Sequence, residues 1–295
     1  MLRRTRVHPA LPVLALLAIA CSGPRDAAPG ASAGAPRVIT DIGSDTMVNL
    51  ALAWAEAYVA ARPEVRLSVT GGGTGTGITA LINGTADIAN ASREMKKEEV
   101  AEARAKGVEP KEHVVARDAI AIIVHKSNPV ARLTIRQLSD IYAGKISNWR
   151  EVGGDDRPIV RLSRETNSGT HVYFLEAVVR RGEKKNKTLL STDTLLLPSS
   201  EGITAEVVQN PNAIGYEGLG YVTEEMKVVA VSKGDDGPFV MPSADTVDDS
   251  RYPIARDLYF YTRGEPQGPL GDYIRWVLGG EAQRIVRQLG FVPVN

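Results

Sequence analysis

The chain of 295 residues predicts an α/β fold with mainly parallel sheets. Three observations carry that expectation. Short strands alternate with helical repeats from residue 37 onward. Four strand-to-helix junctions are built from glycine, serine and threonine, at Ser44, Thr74, Ser92 and Ser168. Ala119-Ile-Ala-Ile-Ile-Val-His125 is a continuous apolar strand, the pattern of a strand covered on both faces. The length suits two moderate cores better than one large one.

In order, residues 37–40 form a strand that turns through Gly43-Ser44-Asp45-Thr46 into a helix. Met47, Leu50, Ala51, Trp54 and Tyr58 recur at helical spacing, and Pro63 ends the helix. Residues 65–70 alternate with period two, and the glycine loop 71–77 leads into a short helix. Asp87-Ile-Ala-Asn90 is a strand ending at Ser92-Arg93, and the polar helix after it stops at Gly107. Beyond the apolar strand, Thr134 and Gln137 form a capping box, with Leu138, Ile141 and Tyr142 on the buried face. Ile159, Arg161 and Ser163 alternate with Val160 and Leu162 in a strand that reaches Arg164, and a helix spans 169–180. The basic run 181–187 reads as a solvated loop. A helix over 201–209, strands over 213–216, 228–231 and 252–261, and helices over 270–278 and 282–289 complete the chain.

The formal charge is zero, with 35 basic and 35 acidic residues. Without Arg3, Arg4 and Arg6 at the N-terminus, 32 basic residues face 35 acidic ones, which argues against nucleic acid as a partner. Those arginines precede the apolar run 11–20, too short to span a bilayer, so residues 1–20 read as a signal peptide. Ala18-Ile19-Ala20-Cys21 resembles a bacterial lipoprotein box, and Cys21 is the expected lipidation site. The alternative is a plain secretory signal that ends near a cysteine. Residues 21–36, rich in Ala, Gly, Ser and Pro, form a flexible tether. Cys21 is the only cysteine, which excludes an internal disulfide and thiolate-built metal sites.

The four junctions share one chemistry. Small hydroxyls and glycine at a helix start leave backbone N–H groups free, and the helix dipole adds positive potential, so an anion is the ligand they suit. Arg164, four residues before Ser168, can add a two-pronged contact to a tetrahedral oxyanion. The glycine loop is no nucleotide signature. Counted from Gly71 the sixth residue is Thr76, from Gly73 it is Ile78, and no Gly-Lys pair follows. Ligands of α/β sheets bind beyond the carboxyl ends of the strands, where these loops sit.

Together, residues 43–46, 71–77, 87–93, 144–149, 163–170 and 213–216 resemble the substrate-binding proteins of high-affinity phosphate ABC transporters. The resemblance runs from about residue 37 to the C-terminus. It implies a two-lobed, type II periplasmic-binding fold that closes on phosphate in the interlobe cleft. One lobe would comprise residues 37–126 and 246–295, the other 127–245. Carried over, Arg164, Ser168, Gly169 and Thr170 match the family's second-lobe phosphate loop, Thr74 and Gly75 its glycine loop, and Ser44, Asp45 and Thr46 its first loop. Ser92 and Arg93 form the third, where some members place an aspartate in the position of Arg93. Asp45, at a helix start, is the candidate acceptor of the phosphate proton.

The expected protein is thus a lipid-anchored, monomeric phosphate carrier of the periplasm or outer surface that serves a membrane permease, without cofactor, metal or catalytic residue. Two alternatives stay open. The same fold can bind sulfate, molybdate or tungstate, or act as an adhesin or sensor. A phosphate-ester hydrolase would need a metal cluster or an activated nucleophile, and His8, His113, His125 and His171 show no ligand spacing.

The signal makes a direct prediction. Cys21→Ala should release the protein from the membrane fraction, because stable anchoring takes more than one acyl chain at about 0.8 kcal/mol per buried methylene. Membrane partition of a signal-cleaved Cys21→Ala protein, read by fractionation, would contradict lipidation.

Overall fold

The structure, a computed structural model, describes residues 38–294, so the signal, Cys21 and the expected tether lie outside the described residues. The chain opens with β1 (Val38–Gly43), α1 (Asp45–Ala61), β2 (Arg66–Thr70), α2 (Thr74–Asn83), β3 (Ile88–Ala91) and α3 (Lys97–Ala105). β4 (Pro110–His125), β5 (Arg132–Thr134), α4 (Ile135–Tyr142), β6 (Val160–Arg164) and α5 (Gly169–Phe174) follow. Then come β7 (Leu195–Leu197), α6 (Ser200–Gln209), β8 (Ala213–Gly218), β9 (Met226–Ser232), α7 (Ala244–Asp248), β10 (Ala255–Arg263), α8 (Gly268–Val277) and α9 (Gly280–Gln288). The expected helix over 169–180 is α5 continued by a π-helical turn, Leu175–Val179. β5 and β7, three residues each, are too short to leave a period in the sequence.

The fold is two-lobed, with sheets joined through β4. Strand order is β2-β1-β3-β10-β4-β8-β6-β7, with β9 paired to β4 and β5 to β9. Residues 110–119 of β4 pair with β10, and residues 120–125 pair with β8 and β9. The expected lobe boundary at 126 therefore falls at the end of a strand whose last residues bond to strands of the second lobe. The outer pairs are parallel: β1 with β2 and β3, β5 with β9, and β6 with β7 and β8. The pairs made by β4 and β10 are antiparallel, because β4 carries the chain toward the second lobe and β10 brings it back.

That corrects one inference from the apolar run. Residues 119–124 are buried on both faces as expected, yet they lie in antiparallel pairs. Helices cover both sides regardless of strand direction. Ile120, Ile122 and Val124 join the core beneath α4 and α5, and Ala121 and Ile123 join Ile203 and Val207 of α6. In the first lobe, Met47, Leu50, Trp54 and Tyr58 of α1 pack with Phe260 of β10, Tyr273 and Val286. Ile78, Leu81 and Ile82 of α2 fill the opposite face with Ala89 and Tyr259.

Close packing fixes the helix starts where the loops meet. A Cβ on Gly77 would lie 2.2 Å from Ile42 O, so α2 can rest on the end of β1 only with glycine there. The capping box at α4 forms as expected: Gln137 N donates to Thr134 Oγ1 (3.1 Å) and Thr134 N to Gln137 Oε1 (2.9 Å). In α5, Phe174 stacks on Tyr216 of β8 with centroids 3.6 Å apart and meets Tyr142 of α4 edge-on. Those contacts anchor the short helix to the core.

Phe174→Ala should therefore destabilise the protein by about 3–5 kcal/mol, the usual cost of emptying an aromatic site in a packed core. The urea midpoint should fall at an unchanged slope. A loss below about 1 kcal/mol would show that α5 is held by something other than this stack.

Candidate functional site

The four predicted junctions converge. Ser44, the residue before α1, donates through Oγ to Ser92 Oγ (2.8 Å), just past β3. Thr74, first residue of α2, accepts from Ser92 N (3.1 Å), and its Oγ1 lies 3.3 Å from Ser92 Oγ. Gly169 closes the group from the second lobe, where a Cβ would lie 2.4 Å from Thr74 Oγ1 and 2.5 Å from Ser92 Oγ. Only glycine lets the α5 backbone come that near both hydroxyls. Ser168 Oγ accepts from Thr170 N (3.2 Å) and His171 N (3.5 Å), a capping arrangement that orients the turn.

A second group lies beside the first. Thr46 Oγ1 and Thr170 Oγ1 are 2.7 Å apart, one from each lobe. Arg256 of β10 donates through Nη2 to Thr170 Oγ1 (3.0 Å), Thr46 Oγ1 (3.4 Å) and Asp118 Oδ2 (3.0 Å), and through Nη1 to Ser92 O (2.9 Å). Neither Arg256 nor Asp118 appears among the sequence-predicted residues. Both strands carry several other charged residues, so the sequence offered no signal that singled these two out. Burial raises Asp118 while the Arg256 guanidinium opposes the rise. A groove of about 750 Å³, lined in part by Arg93, Lys96, Tyr173 and Lys184, runs up to Arg256.

Arg164, 1 % exposed, makes a third group. Nη2 donates to Asp45 Oδ2 (2.6 Å) and Pro198 O (2.8 Å), and Nη1 to Ser200 Oγ (2.8 Å). Nε reaches Leu197 O (3.4 Å), and Glu217 Oε1 lies 3.7 Å from Nη1. Asp45 Oδ1 also accepts from Gly72 N (3.0 Å), which ties the first loop to the glycine loop. The two-pronged contact expected of Arg164 therefore competes with partners inside the protein. The protein itself engages every guanidinium nitrogen in this arrangement, so a fork toward an anion requires Arg164 to release Asp45 or Ser200. Asp45, the candidate proton acceptor, has both carboxylate oxygens committed, to Arg164 and to the loop.

Two further expectations differ. Arg93 is buried beside the loops, but its terminal nitrogens hold Glu99 (2.7 and 2.8 Å) and Glu94 O (2.8 Å). The carboxylate three residues into α3 claims it, and Arg256 is the second guanidinium among the hydroxyls. Gly75 N donates to Asn167 O (3.0 Å), so that N–H joins the loops to each other. Asn167 Nδ2 completes the clasp at Gly72 O (2.9 Å). His171 is packed inside, its Nδ1 donating to Arg164 O (2.9 Å), and burial lowers its pKa. It orients β6 rather than Ser168 Oγ, which it meets only through backbone.

Residues 30–281 match the PBP superfamily domain. The phosphate-binding protein PstS of Pseudomonas aeruginosa is 32% identical over 273 residues, covering 87% of this chain and 83% of the relative. A Clostridium perfringens structure, assigned to a phosphate ABC transporter substrate-binding protein and holding phosphate, superposes with a TM-score of 0.78. It is 35% identical and covers 88% of this chain and 100% of that one. An ABC-type phosphate transport receptor from Vibrio cholerae gives 0.69 at 28% identity, over 86% of this chain and 99% of the other.

The pair of Arg256 with Asp118 is fully buried, and removing one partner leaves an uncompensated charge. Arg256→Leu should cost about 3–5 kcal/mol in a denaturant titration. A variant as stable as the parent would mean that Asp118 is held neutral without its arginine.

Proposed function

The chain belongs to the PBP superfamily and, within it, to the PstS family of phosphate-binding proteins, and from that premise we propose that it captures inorganic phosphate outside the cytoplasm and hands it to an ABC-transporter permease. The observation that carries the reading is the meeting of four loops that follow strands, three from the first lobe at Ser44, Thr74 and Ser92 and one from the second at Ser168, on one cluster of hydroxyls and buried guanidiniums. Serine and threonine hydroxyls and backbone N–H groups suit an oxyanion that is bound without being transformed. The P. aeruginosa relative is named a phosphate-binding protein, and the C. perfringens neighbour holds phosphate.

In this reading Ser44, Thr46, Thr74, Ser92, Ser168, Gly169 and Thr170 supply donors, and Arg164 turns to the ligand as the lobes open and close. The lobes, 37–126 with 246–295 and 127–245, move about the β4 crossing and the return into β10. Closure brings Thr46 to Thr170 and Asn167 to the glycine loop, and that closed form is what the permease reads. The protein acts as a monomer tethered through Cys21 and catalyses no reaction.

Calorimetric titration tests this with phosphate, sulfate and arsenate. Phosphate should bind in the parent, and Arg164→Ala should weaken it roughly a hundredfold or more. Charged hydrogen bonds contribute about 1.5–3 kcal/mol each and about 1.4 kcal/mol is tenfold. Sulfate bound in preference to phosphate would move the protein to a different oxyanion.

A further inference from the structure

Glu217 of β8 is a fully buried carboxylate that the site's hydroxyl chemistry does not use. One oxygen, Oε2, accepts from Ser200 Oγ (3.0 Å). The other, Oε1, is buried without a hydrogen-bond partner and stands 3.7 Å from Arg164 Nη1, close enough for charge attraction but too far for a hydrogen bond. An ionised carboxylate in that position leaves one oxygen unpaired in a dry interior, which is costly.

Charge around the loops sharpens the point. Arg164 and Arg256 face Asp45, Asp118 and Glu217, while Arg93 is neutralised by Glu99. With all three acids ionised, this centre is negative before any anion arrives. We propose that Glu217 is the proton-coupling residue of the anion site, taking up one proton when phosphate enters and giving it back when phosphate leaves. The inference rests on the phosphate reading above. It concerns a residue that stabilises the bound state through Arg164 and Ser200 and needs no contact with the ligand.

The surroundings of Glu217 set the sign. Burial, opposed by Arg164, Ser200 and Arg256 and reinforced by Asp118, pushes it up to about 7. The groups facing it are Arg164 from β6, Ser200 from α6, Asp118 from β4 and Arg256 from β10. Tyr221 after β8 and Tyr142 of α4 also sense its charge, and burial keeps both tyrosines protonated. Asp45 reaches it through Arg164. Below about pH 7 Glu217 is neutral and the site accepts an anion without added repulsion. Above it the carboxylate ionises, and an incoming anion must drive a proton back on. Phosphate affinity then falls with rising pH by up to about tenfold per pH unit, the limit for one linked proton.

The test is paired. Phosphate is titrated into the full chain in buffers of different ionisation enthalpy between about pH 6 and 8, and the protons taken up are compared between the parent and Glu217→Gln. Subtracting the variant removes the linkage that belongs to phosphate itself. The parent should take up more protons than the variant, and the variant should lose the fall in affinity above about pH 7. Infrared difference spectra of the parent alone give the second readout: phosphate should bring up a protonated-carboxyl band that Glu217→Gln lacks. The variant also separates Glu217 from Asp41, a second buried acid raised to about 7 by burial. Equal proton uptake in both proteins, or a parent that binds phosphate with no new carboxyl band, overturns the proposal. A parent that binds sulfate and ignores phosphate overturns the phosphate reading instead.

Discussion

The rest of the structure depends on burying two guanidiniums where the loops meet. Arg164 and Arg256 have side chains only 1 % and 2 % exposed, and neither could sit there alone, since an isolated buried ion costs several kcal/mol. Each is held by elements distant in sequence. Arg164 needs Asp45 from α1, Ser200 from α6 and carbonyls ahead of α6. Arg256 needs Asp118 from β4, hydroxyls from α1 and α5, and the carbonyl of Ser92. Satisfying both at once draws four loops together, and the clustering of the hydroxyls is the consequence.

The cores exist to aim those loops. α1 and α2 rest on the ends of parallel strands in the first lobe, and α5 is pinned in the second by Phe174 against Tyr216 and Tyr142. β4 belongs to both lobes through its pairings, so a movement of one lobe against the other must bend or twist that strand and the return into β10. Polar contacts that would part include Thr46 with Thr170, Arg256 with Thr170, Asn167 with Gly72 and Gly75, Asp45 with Arg164 and Tyr221, and Tyr173 with Ala255. Polar contacts of this kind exchange with water at modest net cost, about 0.5–1.5 kcal/mol for a neutral pair. That is the energetic profile a reversible closure requires.

Such a site need not be strongly positive. Hydroxyls and backbone amides carry fixed dipoles into a dry cavity, where they act more strongly than in water. The guanidiniums are balanced by carboxylates, so the loops carry no strong general positive field. This agrees with a chain whose body carries more acidic than basic residues.

Element types and the loops were legible in the sequence because both follow from short-range chemistry. Helical spacing placed Met47, Leu50, Trp54 and Tyr58 on one buried face, and the Thr134 box capped α4 as read. Hydroxyls and glycines after four strands marked Ser44, Thr74, Ser92 and Ser168 as one chemical set, although the junction expected at Ser92 is a turn, with α3 beginning only at Lys97. Strand direction around β4 was not legible, because an apolar run reports burial and burial is the same in either direction. Nor were the partners of the charges. Arg93 and Arg164 look alike as arginines beside serine turns, yet one meets Glu99 six residues away and the other meets Asp45 across 119 positions. Arg256, Asp118 and Glu217 sit in strands whose pattern says only that they are buried. Local sequence determined which residues could donate to an anion; the tertiary structure decided which charges neutralise one another, because a buried ion takes its partner from whatever element the fold packs against it.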